Sequence, residues 1–188
     1  MTWVVGGLVA VGVAGAAAAG YLGLVTGALP LDLGAGRRTR PLGPRSVDSA
    51  APRETVFEVI AQPYLGRATR AMREKVAVLE RGSDMVLAAH RTPVAGGRLT
   101  ATTVETVRFT RPERVDFRLV RGPVPAVTEW FELTEHGPGT RLEYTGALGT
   151  DLWALGQWWG SVIAPRWEAG VASSLAAVKQ EAERRSHR

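Results

Sequence analysis

The sequence predicts an α+β protein. A curved antiparallel sheet of about seven strands wraps a long C-terminal helix, and one transmembrane helix precedes them. Three observations carry this expectation. No residue from Trp3 to Leu29 is charged. Six strand-like segments follow one another between Val76 and Leu148, each ended by turn residues. From about Leu152 to Arg185 the apolar residues recur at helical spacing.

The uncharged run comes first. As a helix rising about 1.5 Å per residue it reaches roughly 40 Å, more than the ~30 Å hydrocarbon core of a bilayer. Trp3 stands where an interfacial aromatic anchor belongs. A cleaved secretory signal is the main rival. It needs a positive n-region, whereas Met1-Thr2 offers only the terminal amine, and the run is long for a signal. Arg37, Arg38, Arg40 and Arg45 follow the run and no basic side chain precedes it. The positive-inside rule then predicts a single-pass inner-membrane protein with its domain on the cytoplasmic side. Gly15, Ala19, Gly23 and Gly27 recur every four residues, which suits a homodimer through the span. Ala/Gly-rich helices also produce such spacing by chance. The expected organisation is a transmembrane helix over 1–30, an Arg/Gly/Pro-rich linker over 31–44 and one domain over 45–188.

The chain has 188 residues, a formal charge of +5 and no cysteine. Absence of cysteine excludes a disulfide framework and thiolate metal sites. Arginine supplies the basic count, Lys75 and Lys179 being the only lysines. In the domain these charges mix with Glu and Asp, and no basic stripe interleaves with aromatics, so nucleic acid is not an expected partner.

Within the domain a short strand is expected over Arg45–Ala50. Pro52 opens a helix whose apolar face is Val56, Phe57, Val59 and Ile60, and Pro63 stops it. A second short helix is expected over Leu65–Met72. The strands follow at Val76–Glu80, Met85–Thr92, Leu99–Phe109, Val115–Arg121, Val127–Glu135 and Arg141–Leu148. Their short connections mean antiparallel hairpins. Thr150 or Asp151 is expected to cap the last helix, and Pro165 to kink it.

This order of elements resembles the START-like helix-grip superfamily (SRPBCC), which includes polyketide cyclases, lipid-transfer domains and birch-pollen-type allergens. The stretches Ala51-Pro52-Arg53-Glu54-Thr55-Val56-Phe57 and Trp167-Glu168 … Leu175-Ala176-Ala177-Val178-Lys179 look like the first and last helices of bacterial members, especially actinobacterial polyketide cyclase/dehydrase-like proteins. The resemblance spans about Gly43 to Arg185. It implies a sheet curled around the last helix with a cavity between them. An N-terminal membrane helix is an addition to that pattern.

Strand parity nominates the residues facing the helix. Phe109, Phe117, Phe131 and Tyr144 fall on apolar faces, and Arg91, Glu105 and Glu129 fall among them. A buried carboxylate must pair, protonate or reach water, so Arg91 opposite Glu105 or Glu129 would give a cavity its polar handles. A strand-end position or a shifted parity is the plainer alternative. From the helix, Trp159 and Trp167 join this lining, and Trp153 and Trp158 point elsewhere. His90, His136 and His187 show no metal spacing, and no catalytic motif, phosphate loop or dinucleotide fingerprint is present. No metal, cofactor or catalytic residue is therefore expected.

The favoured function is a membrane-tethered module that binds or transfers an apolar ligand (a lipid, quinone or polyketide-like molecule). Two alternatives stay open. One is a protein-interaction domain with a vestigial cavity. The other is a cyclase- or dehydratase-type enzyme, which the expected lack of a cavity histidine weakens.

Overall fold

The computed structural model describes residues 15–66 and 68–187. A helix, α1, covers residues 15–26. Strand β1 (Arg38–Ser49) follows, then helices α2 (Arg53–Ala61) and α3 (Arg70–Lys75). Six strands come next: β2 (Val76–Arg81), β3 (Met85–Val94), β4 (Leu99–Thr110), β5 (Arg114–Arg121), β6 (Ala126–His136) and β7 (Gly139–Thr150). Helix α4 (Trp153–Ser186) closes the chain.

The seven strands form one sheet in the order β1-β7-β6-β5-β4-β3-β2, and every pairing is antiparallel. Sequential hairpins build β2 through β7, and β1 returns to lie against β7. The expected α+β architecture is present. Its concave face buries Val107, Val115, Phe117, Leu119, Val127, Leu133, Leu142, Tyr144 and Leu148, against Ile163, Val171 and Leu175 of α4. Helix α2 adds Val56, Phe57 and Ile60 to the same core. Its outer end is held by Arg111, which pairs with Glu54 and Glu58 and lies over the Phe57 ring.

Several boundaries differ from the sequence expectation. Strand β1 starts at Arg38, inside the segment read as a linker, because Arg38–Leu42 pair with Gly146–Thr150. Helix α3 starts at Arg70, where Thr69 accepts a hydrogen bond from the Met72 amide. Asp151 does not cap α4. Its carboxylate accepts instead from the amides of Leu33 and Gly34, at 2.7 and 2.8 Å, and from Arg37 Nε at 2.7 Å. Helix α4 runs through Pro165 as a single element.

Among the described residues no helix is long and apolar enough to cross a membrane. Much of the expected span, residues 1–14, lies outside them. Of the small-residue stripe, Gly27 is packed against the Thr102 carbonyl and Gly122 of the same chain, leaving no room for a Cβ.

Candidate functional site

The sheet register decides which side chains meet inside the grip. In β4 the predicted parity holds: Val107 is fully buried, Glu105 nearly so, and Phe109 packs on Phe57 and Tyr64. In β3 it does not. Val86, Ala88 and His90 pair with Val107, Glu105 and Thr103 and therefore share their face. Arg91 pairs with Thr102 and is exposed. It is thus removed from the expected site, and His90 takes the inward place. The sequence masks this because Met85, Leu87 and Ala89 are as apolar as Val86 and Ala88.

His90 completes a chain of polar contacts. Its Nδ1 lies 2.9 Å from Glu105 Oε2, and its Nε2 lies 3.0 Å from the Tyr64 hydroxyl. Thr103 Oγ1 donates to the other Glu105 oxygen at 2.7 Å. Burial opposes charge on both partners, pushing Glu105 up and His90 down. The mutual attraction and hydrogen bond outweigh it, so Glu105 ends below and His90 above its ordinary value. The contact therefore favours an imidazolium at His90 and a carboxylate at Glu105. His90 Nε2 and the Tyr64 hydroxyl share a hydrogen bond whose direction follows the protonation of the imidazole. Burial, with the charges of Glu105 and Glu129, pushes the Tyr64 phenol up, so it stays protonated.

A second polar group sits further along the sheet. Tyr144 Oη and Trp167 Nε1 both donate to Glu129 Oε2, each at 2.7 Å. Burial and the charge of Glu105 push Glu129 up to about 7, against the two donors and the charge of His90. Its carboxyl group is therefore protonated well above the usual carboxylate range. Across the ladder from Glu129 stands Gly146, where an added Cβ would come within 2.8 Å of the Glu129 Cβ. The glycine gives the carboxylate its space.

Phe117 and Phe131 lie between the two groups. Their rings are 5.5 Å apart, Phe117 touches Tyr64 and His90, and Phe131 touches Tyr144. The structure thus brings Glu105, Phe109, Phe117, Glu129, Phe131, Tyr144 and Trp167 to one interior. Trp159 lies apart from these contacts. Its Nε1 donates to the Pro123 carbonyl at 2.8 Å and its ring meets Tyr21 of α1. Tyr64 was missed because it follows Pro63, where the sequence shows only the end of a helix.

Aromatic rings line the space between sheet and α4. Two grooves open on the described residues. One, of about 250 Å³, is lined by Leu65, residues 81–84, Met85, Val86 and Phe109. It backs onto the Tyr64–His90 contact through Phe109. The other, of about 600 Å³, runs between residues 26–28, the start of β4, and Arg98 and Arg121. Among the described residues no group of His, Asp and Glu is arranged to hold a metal ion.

The sequence profile of the family described as "Polyketide cyclase / dehydrase and lipid transport" matches residues 44–183. The chain belongs to this family. Three solved structures illustrate the polyketide cyclase/dehydrase fold it shares. The Zhui aromatase/cyclase from a Streptomyces species is 19% identical, with a TM-score of 0.60 over 79% of this chain and 95% of that one. Norcoclaurine synthase from Thalictrum flavum is 11% identical, with a TM-score of 0.59 over 77% and 87%. The di-domain ARO/CYC BexL is 16% identical, with a TM-score of 0.58; the match covers 81% of this chain and spans about half, 51%, of that protein. At these identities the likeness shows the fold alone. Comparison with curated proteins finds no match.

Proposed function

We propose that this polyketide cyclase/dehydrase-family chain is a membrane-tethered module that binds or transfers an apolar small molecule of the lipid, quinone or polyketide-like kind. The observation that carries this reading is the interior of the grip. Glu129 and the Tyr64–His90–Glu105 chain are set among Phe109, Phe117, Phe131 and Trp167. A mostly apolar interior with a few convergent polar groups suits an apolar ligand with one or two oxygens. The groove at Leu65 and Phe109 provides its entry, with rotation of the aromatic rings making room. The tether is the uncharged run Trp3–Leu29, and the arginines that follow it favour a cytoplasmic inner-membrane domain.

Native mass spectrometry of the detergent-extracted full chain tests the ligand. An apolar compound is expected to copurify, and to be lost from the Glu129→Leu variant. A ligand-free chain that also takes up no apolar fluorescent probe would favour the protein-interaction alternative. The tether is tested separately by alkaline carbonate extraction of membranes, which should leave the chain in the pellet.

One observation favours a second reading, acid/base catalysis of the cyclase or dehydratase kind. His90 stands in the interior after all, hydrogen-bonded to the Tyr64 phenol and to Glu105. If the copurified compound is turned over, Tyr64→Phe is expected to abolish turnover while leaving the compound bound. Unchanged turnover in that variant would remove the catalytic reading.

A further inference from the structure

Eleven large hydrophobic residues are exposed among the described residues, and eight of them fall within residues 21–33 and 153–158. These two segments are one place in the fold. The Tyr21 and Trp159 rings meet edge-on at 6.0 Å, and Trp158 lies beside Trp159. The Leu152 amide donates to the Ala35 carbonyl at 2.8 Å, and the Trp153 amide to the Gly36 carbonyl at 3.1 Å. Gly36 lies so close to the Trp153 indole that any Cβ would overlap it.

The backbone here is held against its own preference. Leu152 and Trp153 both have positive φ, 69° and 46°, a region that side-chain-bearing residues rarely adopt. Such strain persists where surrounding contacts over-determine it. Here those contacts are the Leu152 and Trp153 amides on Ala35 and Gly36 and the Asp151 carboxylate on Leu33, Gly34 and Arg37, while Arg121 at the end of β5 separately donates to the Ala28 carbonyl at 3.0 Å. The exit of α1 is therefore clamped to the start of α4, and the result is an outward-facing Trp153, Leu155 and Trp158.

We infer that this face, formed by Tyr21, Leu22, Leu29, Trp153, Leu155 and Trp158, docks on a lipid bilayer and seats the domain at headgroup depth. The inference rests on the membrane-tether reading proposed above and adds that the domain lies on the membrane instead of hanging free of it. Three features select a bilayer as the occupant. The face is continuous with α1, whose residues 15–19 are exposed and whose uncharged run extends back to Trp3. Tryptophan and tyrosine, apolar with one polar edge, suit the boundary between headgroups and acyl chains. Arg98 and Arg121 line the groove beside the end of α1, where acidic headgroups would complement them.

The absence of cysteine makes the test clean. Full-length Leu155→Cys and Trp158→Cys chains, labelled with the fluorophore NBD, are reconstituted in phosphatidylcholine/phosphatidylglycerol vesicles. His136→Cys serves as the reference, because it is exposed at the end of β6, paired with Gly139 at the opposite end of β7 from Asp151. NBD emission is expected to shift to the blue and to be quenched by doxyl lipid at 155 and 158, and to stay water-like at 136. Water-like emission at 155 and 158 on chains that remain in the vesicles would overturn the docking face and leave the tether standing. A blue shift that grows with protein density at fixed lipid would assign the face to a second copy and overturn the inference. Chains that float free of vesicles would overturn both tether and face.

Discussion

Glu129 is the residue whose charge state the fold controls most visibly. Its carboxyl is pushed from an ordinary 4.5 to about 7, so between those pH values the folded chain keeps a proton that the unfolded chain releases. Stability therefore falls as pH rises through that window, by an amount on the order of a few kcal/mol. His90 acts in the same direction at higher pH. Its value is raised, so its contribution is full below about 6.5 and is lost as pH climbs through the folded value. Glu105 is lowered, so its contribution is present above its ordinary value and is lost as pH falls through the folded one. Glu129→Gln keeps an oxygen to accept from Tyr144 and Trp167 but cannot ionise. Urea unfolding at pH 5 and pH 8 should show the variant losing much less stability with pH than the parent. An unchanged difference would mean that Glu129 does not titrate in this range. At this scale the sequence exposed Glu105 and Glu129 as charges on apolar faces. It could not reveal that His90 joins them, since that depends on the β3–β4 register.

At the level of elements, α4 shows how packing overrides propensity. Glycine inside a helix normally costs about 0.5–1 kcal/mol relative to alanine. At Gly170 an added Cβ meets nothing within 4 Å, so Gly170→Ala should gain roughly that amount. At Gly156 the same Cβ would fall on the Asp151 carbonyl oxygen. There the substitution should cost about 1–3 kcal/mol by forcing the start of α4 away from the Asp151 clamp. Thermal unfolding of the two variants should move in opposite directions, and parallel shifts would contradict the close approach at Gly156. Strand β3 illustrates the limit of reading elements singly. Both of its faces are apolar along Met85–Ala89, so parity within the strand does not say which face is inward. Pairing with β4, where Glu105 and Val107 are buried, is what chooses.

For the whole molecule, the hydrophobic core among the described residues draws nothing from before Leu42. A chain lacking residues 1–30 loses the Tyr21–Trp159 contact and the packing of Gly27, but keeps the sheet, α2, α4 and the Asp151–Arg37 clamp. It should unfold in one cooperative transition by circular dichroism. Failure to do so would make α1 part of the folding unit. The order of elements was legible in the sequence because each announces itself locally, through alternation, turn residues or helical spacing. The domain and its membership of the polyketide cyclase/dehydrase family followed from that order. Tertiary structure alone decided the contents of the interior: His90 replaced Arg91, and Tyr64 joined from beyond the end of α2. It also turned Asp151 from an expected cap into the clamp on residues 33–37. The physical reason is the same in each case. Hydrophobic periodicity is written along the chain, whereas hydrogen bonds and ion pairs between strands depend on register and distance, which arise only when the sheet closes on α4.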